Sequence, residues 1–166
     1  MAVRWKSAPG EPVVESREER ETQEQIQLWS WVQSMQGMVP ALTMFAANPN
    51  GGVRPKKYRK DKKTGKLVRY SPEGQRLKAM GVQAGFPDIQ LLVPIQPYHG
   101  LFIELKAPGG DTRDNQLEWQ ARLRSWRYKA EIIEGWVRAA REIVIYLEPM
   151  LTDRERKNLH AAIPMS

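Results

Sequence analysis

The stretch that decides the fold runs Gly85-Phe-Pro-Asp-Ile-Gln-Leu-Leu-Val93 and resumes, after a short link, as Leu101-Phe-Ile-Glu-Leu-Lys106. Two aliphatic runs joined by a short segment containing proline and glycine predict an antiparallel hairpin. Side chains alternate between the faces of a strand, so Glu104 and Lys106 are expected on the same face. Asp88 stands where the first strand begins, and pairing of the two strands would bring its carboxylate beside Glu104.

Two carboxylates and a lysine on one strand face predict a metal-assisted hydrolytic site. Mg²⁺ and Mn²⁺ prefer carboxylate and water oxygens. A lysine two residues from a carboxylate can orient or deprotonate a water, or neutralise charge on a phosphate in the transition state. In the alternative interpretation, Glu104 and Lys106 form the solvated side of an amphipathic strand. Phe102 on the same face favours a half-covered cleft instead.

The composition of the whole chain excludes several other classes of protein. The chain has 166 residues and a mass of 19.1 kDa, the size of one domain. It contains no cysteine, which excludes disulfides, a thiol nucleophile and a cysteine zinc site. Two histidines, His99 and His160, are too few for most zinc enzymes. No apolar run approaches the ~20 residues of a membrane span, and a signal-peptide core is absent, so we expect a cytoplasmic protein without a membrane partner.

The positive charge is concentrated in one segment. The formal net charge is +7, and between Arg54 and Arg69 nine basic residues stand against Asp61 alone. Such a segment favours a polyanionic partner, most often nucleic acid, although a solubilising loop is the alternative. We therefore predict a basic loop over residues 54–70. Its expected DNA contacts are Arg54, Lys56, Lys57, Arg59, Lys60, Lys62 and Lys63.

Capping and turn signals divide the rest of the chain. Residues 1–20 are predicted to be a flexible arm, and Thr22 with Gln25 forms a capping-box pattern that opens a helix. The apolar stripe of that helix contains Ile26, Trp29 and Val32. A strand is predicted at 42–47 and a hairpin tip at 61–65. A helix is predicted from Ser71 to Gly81, with Leu77 and Met80 buried. Another helix is predicted from residue 111 or 112 to residue 128.

The C-terminal third is predicted to return to the sheet and then to finish in helices. A strand at 130–133 precedes a helix with Val137, Ala140, Val144 and Leu147 on one face. Thr152 and Glu155 cap a short helix within the tail 151–166. Trp29, Trp119 and Trp126 are expected in the core. This order of elements predicts one α/β domain over residues 21–150, with a mixed central β-sheet flanked by α-helices.

Three motifs together resemble the VRR-NUC domain, the virus-type replication-repair nuclease branch of the PD-(D/E)XK superfamily. They are Gly81-Val-Gln-Ala-Gly-Phe-Pro-Asp88, Tyr98-His-Gly-Leu-Phe-Ile-Glu-Leu-Lys106 and Gln116-Leu-Glu-Trp119. The resemblance covers roughly residues 20–148. It implies a restriction-endonuclease-like core and metal-dependent cleavage of DNA, often of branched or flap structures. Standalone members of this kind are typical of phages and bacteria and act as homodimers.

Carried over by position, the resemblance implies a role for five residues. Asp88 and Glu104 would bind Mg²⁺ or Mn²⁺, and Leu105 would offer its backbone carbonyl to the metal. Lys106 would be the catalytic lysine, and Gln116 would support the site from the helix after the lysine strand.

The first helix of the family usually adds one more acidic residue to the metal site. Glu24 is the predicted one, with Glu21 as the alternative, since residues three apart lie on the same helical face. The chain departs from the family pattern at Trp126-Arg-Tyr-Lys129, where a glycine is expected before the returning strand.

These observations predict a metal-dependent DNA endonuclease that is structure-selective and works in replication, repair or recombination in a bacterial or phage-infected cell. The alternative from another class is a non-catalytic DNA- or junction-binding module on the same fold. A sequence-specific restriction enzyme is a third interpretation, for which the chain leaves little room. The presence of Asp88, Glu104 and Lys106 together favours the first.

Overall fold

The computed structural model describes residues 16–48 and 57–165, without the side chains of residues 69 and 70. The strands are β1 (Phe45–Ala47), β2 (Lys57–Lys60), β3 (Leu67–Tyr70), β4 (Ile89–Leu91), β5 (Leu101–Lys106) and β6 (Lys129–Glu134). The helices are α1 (Arg17–Met35), α2 (Pro72–Ala79), α3 (Asp114–Ser125), α4 (Trp136–Leu147) and α5 (Asp153–Ala161), with 3₁₀ turns at Pro40–Met44 and Glu148–Met150.

The central sheet has four strands in the order β1-β4-β5-β6. β1 and β5 both pair antiparallel with β4, whereas β5 and β6 are parallel. The predicted α/β fold with a mixed sheet is therefore confirmed, and so is the antiparallel hairpin of β4 and β5. Because β5 lies inside the sheet and helices cover both faces, all six of its side chains are buried.

Two apolar layers enclose the sheet. On one face, Leu101, Ile103 and Leu105 join a core with residues of α1, α4 and α5. On the other face, Phe102 packs with Leu123 of α3 and with a smaller cluster of rings. The alternation of β5 thus sends its aliphatic residues to the larger core and Phe102, Glu104 and Lys106 toward α3.

Helix α1 begins six residues earlier than predicted, with Ser16 rather than Thr22 as its N-cap. The hydroxyl of Ser16, the N-cap, accepts from the Glu19 amide, and the Glu19 carboxylate accepts from the Ser16 amide, which forms a capping box. Thr22 instead lies within the helix, where its hydroxyl donates to the Glu18 carbonyl. Residues 17–20, predicted to belong to a flexible arm, are helical.

The buried stripe of α1 also differs from the predicted one. Leu28, Trp31 and Val32 are buried, whereas Ile26 is 51% and Trp29 38% exposed. The prediction for Val32 is confirmed and that for the other two residues is wrong, because the helix packs on the sheet with a neighbouring part of its circumference. Trp126, which was also expected in the core, is 72% exposed because it lies beyond the end of α3.

The end of α3 shows how the chain manages without the expected glycine. The helix ends at Ser125, three residues before the predicted end, and Arg127 adopts a left-handed φ of 59°. The Tyr128 amide then donates to the Leu123 carbonyl, which closes the helix end as a glycine would. The Arg127 side chain donates to the Pro97 carbonyl, a contact that helps to hold this conformation.

The other helices follow their sequence signals closely. Ala140, Val144 and Leu147 are buried on α4, as predicted, and Thr152 and Glu155 form the predicted capping box of α5. Ser71 caps α2, but the Met80 side chain is 67% exposed, so the prediction that it is buried is wrong. No helix within the described residues is long and apolar enough to cross a membrane.

Candidate active site

Asp88 and Glu104 lie side by side at one end of the sheet. Ile89 pairs with Ile103, and continuing this register by one residue sets Asp88 opposite Glu104. Glu104 is 5% and Lys106 4% exposed. The interpretation of this face as solvated is therefore wrong, because two charged side chains are buried here.

The Glu104 carboxylate is held from two sides through one oxygen. Lys106 Nζ donates to Glu104 Oε1 at 2.8 Å, and Gln116 Nε2 donates to the same oxygen. The other oxygen, Glu104 Oε2, is buried and has no hydrogen-bond partner among the described residues. A buried carboxylate oxygen without a donor is costly unless a proton or a cation satisfies it.

Gln116 is oriented by the first turn of α3. Its Oε1 accepts from the backbone amide of Arg113 at 2.9 Å, which leaves the amide nitrogen to donate toward Glu104. Sequence reasoning placed Gln116 in a supporting role, and the contact with Glu104 is the kind of support that fixes the orientation of a carboxylate.

Backbone groups complete the surroundings of Asp88. The Leu105 amide donates to Asp88 Oδ2 at 3.2 Å. Successive carbonyls of a strand point to opposite edges, and the Lys106 carbonyl accepts from the Gly135 amide beyond β6. The Leu105 carbonyl therefore points to the β4 edge, where the register places Pro87, a residue without an N–H. A cation near Asp88 could use this carbonyl.

The electrostatics of the pair are those of two crowded carboxylates. Burial and the neighbouring Glu104 raise the pKa of Asp88 from 3.8 to about 7. Burial also raises the pKa of Glu104, against the opposing effect of Lys106. A positive charge placed between them would reverse both effects.

The turn that carries Asp88 packs directly on α3. Gly85 has a φ of 82°, and a Cβ built there would lie 2.6 Å from the Asn115 backbone oxygen. Only glycine combines this conformation with so close an approach. From the other side, the Asn48 amide donates to the Asp88 carbonyl at 2.7 Å, and its side chain donates to the Pro87 carbonyl.

Helix α1 brings Glu21, not Glu24, to the cluster. Glu24 Oε2 accepts from the Trp136 amide at 2.6 Å and so caps the start of α4. Glu21 Oε1 lies 4.0 Å from Lys106 Nζ and accepts from Arg17 Nε. Sequence reasoning ranked these two carboxylates the other way. It also missed Arg17, whose guanidinium bridges Glu21 and Asp111 and gives no local signal in the sequence.

The residues present fit a divalent cation. No group of three His, Cys, Asp or Glu residues with metal-binding proximity occurs within residues 16–48 and 57–165. The donors are instead two carboxylates and a backbone carbonyl, from Asp88, Glu104 and Leu105. All are hard oxygen ligands of the kind Mg²⁺ and Mn²⁺ prefer. A cation bound between the two carboxylates would satisfy the partnerless Glu104 Oε2 and oppose the raised pKa of Asp88.

The predicted DNA-contacting residues that the structure describes belong to the β2–β3 hairpin, which is not part of the sheet that carries Glu104 and Lys106. Arg54 and Lys56 are outside the described residues. Lys57, Arg59 and Lys60 lie on β2, and Lys62 and Lys63 follow in the turn; all five are exposed.

Comparison with known proteins gives a consistent result. A family model described as "VRR-NUC domain" matches residues 10–136. A solved structure titled "VRR_NUC domain protein" superposes with a TM-score of 0.58 at 23% sequence identity, covering 77% of this chain and 88% of that chain. At this identity the match shows a shared fold. No curated protein matches the chain.

Proposed function

Since the chain belongs to the VRR-NUC domain family, a family of nucleases, we propose that it is a metal-dependent DNA endonuclease that hydrolyses phosphodiester bonds and prefers branched, flap or junction DNA. One observation carries the chemistry. Glu104 is fixed through Oε1 by Lys106 and Gln116, and its Oε2 is buried without a partner next to Asp88. This arrangement would present one carboxylate oxygen to a cation.

Asp88, Glu104 and the Leu105 carbonyl would hold Mg²⁺ or Mn²⁺. When bound, the ion would polarise the phosphodiester and lower the pKa of a coordinated water. Gln116 keeps Glu104 in place, because its own amide is fixed by the Arg113 backbone. Glu21 is the carboxylate of α1 that could extend the donor set, and Glu24 would serve the start of α4 instead.

Lys106 supplies the positive charge of the site. Its Nζ lies 2.8 Å from Glu104 Oε1 and 4.0 Å from Glu21 Oε1, so it stands between two carboxylates. From there it can orient a water or neutralise charge on the scissile phosphate. A second copy of the chain, forming a homodimer, would place two such sites on one branched DNA.

The test is a cleavage panel of duplex, flap, splayed-arm and four-way-junction DNA with Mg²⁺ and with Mn²⁺. Asp88→Asn and Glu104→Gln are expected to abolish cleavage and to lower Mn²⁺ affinity in calorimetry. Glu118→Gln, the same type of change on the exposed face of α3, is the matched control and should cleave normally.

The outcomes separate the endonuclease from a DNA-binding module. Binding without cleavage of any substrate, with either metal, would establish the module instead. Unchanged Mn²⁺ binding in both carboxylate variants would contradict a metal site formed by Asp88 and Glu104. Light scattering of the free protein and of its DNA complex tests the homodimer, which a monomeric complex would contradict.

A further inference from the structure

The hairpin of β2 and β3 is a separate, well-formed ribbon. It pairs Lys57–Lys60 with Leu67–Tyr70 and is not part of the central sheet. Asp61 builds its tip, because Oδ1 accepts from the amides of Lys63 and Thr64 and from the Thr64 hydroxyl. Gly65, with a φ of 67°, donates its amide to the Asp61 carbonyl. The tip is thus held by several hydrogen bonds and presents its lysines in a defined place.

The hairpin exposes apolar side chains among these lysines. Tyr58 is 66% and Leu67 69% exposed. In the register of the two strands, Lys60 lies opposite Leu67, and Tyr58 is two residues before Lys60. Side chains alternate along a strand and opposite residues share a face, so Tyr58, Lys60 and Leu67 lie on the same face. An aromatic ring and a leucine therefore stand together, next to a cation, on a surface that no described element buries.

We infer that this face of the hairpin binds the unpaired bases at a branch point in DNA, with Tyr58 as the stacking residue and Leu67 as its apolar neighbour. The inference rests on the proposed nuclease function and specifies how branched DNA is recognised. The occupant follows from charge and shape. Lys60 on the same face and the exposed Lys62 and Lys63 of the adjoining turn supply positive charge for phosphates, while Tyr58 offers a ring on which a base can stack.

The same face explains a preference for branched over fully paired DNA. Inserting an apolar side chain into intact duplex requires base pairs to unstack, which costs a few kilocalories per mole per step. Bases at a flap or splayed arm are already unstacked, so the contact with Tyr58 forms without that cost. The lysines contact backbone phosphates and contribute similarly to both kinds of DNA, because phosphate contacts do not depend on base pairing.

Binding is measured in metal-free buffer with chelator, so that no cleavage takes place. The probes are a fluorescent splayed-arm DNA and a fully paired duplex of the same length. Tyr58→Ala with Leu67→Ala should weaken binding to the splayed arm about fivefold to tenfold and binding to the duplex less than twofold, in line with the usual contribution of one base stack. Tyr58→Phe keeps the ring and should bind both DNAs like the wild type.

Two comparison variants identify the cause of any loss. Lys62→Ser with Lys63→Ser should weaken binding to both DNAs by the same factor. Trp126→Ala removes a different exposed aromatic side chain, 72% exposed at the end of α3, and should leave the ratio of the two affinities unchanged. A 2-aminopurine base next to the branch gives a direct signal, since its fluorescence should be quenched by the wild type and by Tyr58→Phe but not by Tyr58→Ala.

An equal loss on both DNAs, or none on the splayed arm, would overturn the inference. Thermal unfolding of the variants tests whether their fold is intact, and the single Tyr58→Ala variant, compared with Tyr58→Phe, keeps the test decisive if the double variant unfolds. Because cleavage is not measured, the result is independent of the proposed activity. A protein that discriminates branched DNA through Tyr58 but never cleaves it would support this inference and contradict the nuclease.

Discussion

Lysines occupy two different environments in this molecule, one at the end of β5 and the other in the β2–β3 hairpin. Lys106 is 4% exposed and bonded to Glu104, whereas Lys62 and Lys63 stand in an exposed turn. The aspartates show the same contrast. Hydrogen bonds from Thr64 lower the pKa of Asp61 at the hairpin tip, while burial beside Glu104 raises the pKa of Asp88.

Charge in a buried cluster and charge on an exposed hairpin therefore act through different physics. In the buried cluster, each charge depends on one or two defined neighbours, and removing one group leaves another unsatisfied. On the hairpin, charges act mainly through their number, in water and with screening by salt. Single substitutions should therefore have large effects in the cluster and small, additive effects in the hairpin.

The largest expected effect is that of Lys106→Ala. Loss of a cation that serves acid–base or electrostatic catalysis should lower kcat about a thousandfold. DNA binding, measured with Ca²⁺, should remain close to that of the wild type. Lys62→Ala is the counterpart in the hairpin and should act on KM rather than on kcat. Single-turnover cleavage rates of both variants measure this, and wild-type turnover in Lys106→Ala would exclude the lysine from the mechanism.

Gly85→Ala is expected to disturb the cluster through the backbone alone. The new Cβ would meet the Asn115 backbone at 2.6 Å in a left-handed conformation, which should cost about 2 to 4 kcal/mol of stability. Gly65→Ala at the hairpin tip has a similar φ of 67° but open space around it, so only about 1 kcal/mol is expected. Urea unfolding of both variants compares them. Equal losses would show that the contact with α3 is unimportant.

Replacing Lys57, Lys60, Lys62 and Lys63 with serine tests the additive behaviour of the hairpin. Each phosphate contact contributes about 0.9 to the slope of log affinity against log salt on duplex DNA, so the slope should fall by about two to three units. The loss should be similar for unrelated sequences, and Mn²⁺ affinity should not change. A variant that keeps the wild-type slope and affinity would make the hairpin a solubilising loop and direct attention to Arg122 and Arg124 on α3.

The smallest expected effect is on the pH dependence of the unfolding free energy of the metal-free protein. The pKa of Asp88 is raised from 3.8 to about 7 on folding, so the proton favours the folded state. This contribution is complete below pH 3.8, declines as pH rises toward about 7 and is lost above it. Between pH 5 and 7.5 the unfolding free energy of the wild type should fall by about 1 to 2 kcal/mol more than that of Asp88→Asn.

Bound Mn²⁺ should cancel the decrease in unfolding free energy that occurs as the pH rises. Unfolding of the wild type with Mn²⁺ at pH 7.5 should require more urea than unfolding without it, whereas Asp88→Asn should respond little. Parallel pH dependence of the wild type and of Asp88→Asn, in the absence of metal, would contradict the crowding of the two carboxylates. Glu104 stays in both proteins, so the comparison isolates Asp88.

Sequence patterns were sufficient to predict the features that depend on neighbours along the chain. The period of two in a strand put Glu104 and Lys106 on one face, and hairpin pairing put Asp88 beside them. Local capping signals likewise gave α2 and α5, as Ser71 and Thr152 each bond to a nearby amide. The α/β architecture with a mixed sheet followed from the order of the elements, because each element is signalled by a short continuous segment.

The tertiary contacts of a helix determine which of its side chains face the sheet, and for α1 the sequence pattern did not predict this. Glu21 and Glu24 are about 60° apart around α1, too close for their spacing to tell which of them faces Lys106. The choice is made by the packing of α1 on the sheet and by the start of α4, where the Trp136 amide takes Glu24. The same docking buries Trp31 and exposes Trp29. A helix has many possible faces and a strand has two, so the local pattern fixes the strand's orientation and leaves the helix's orientation to its partners.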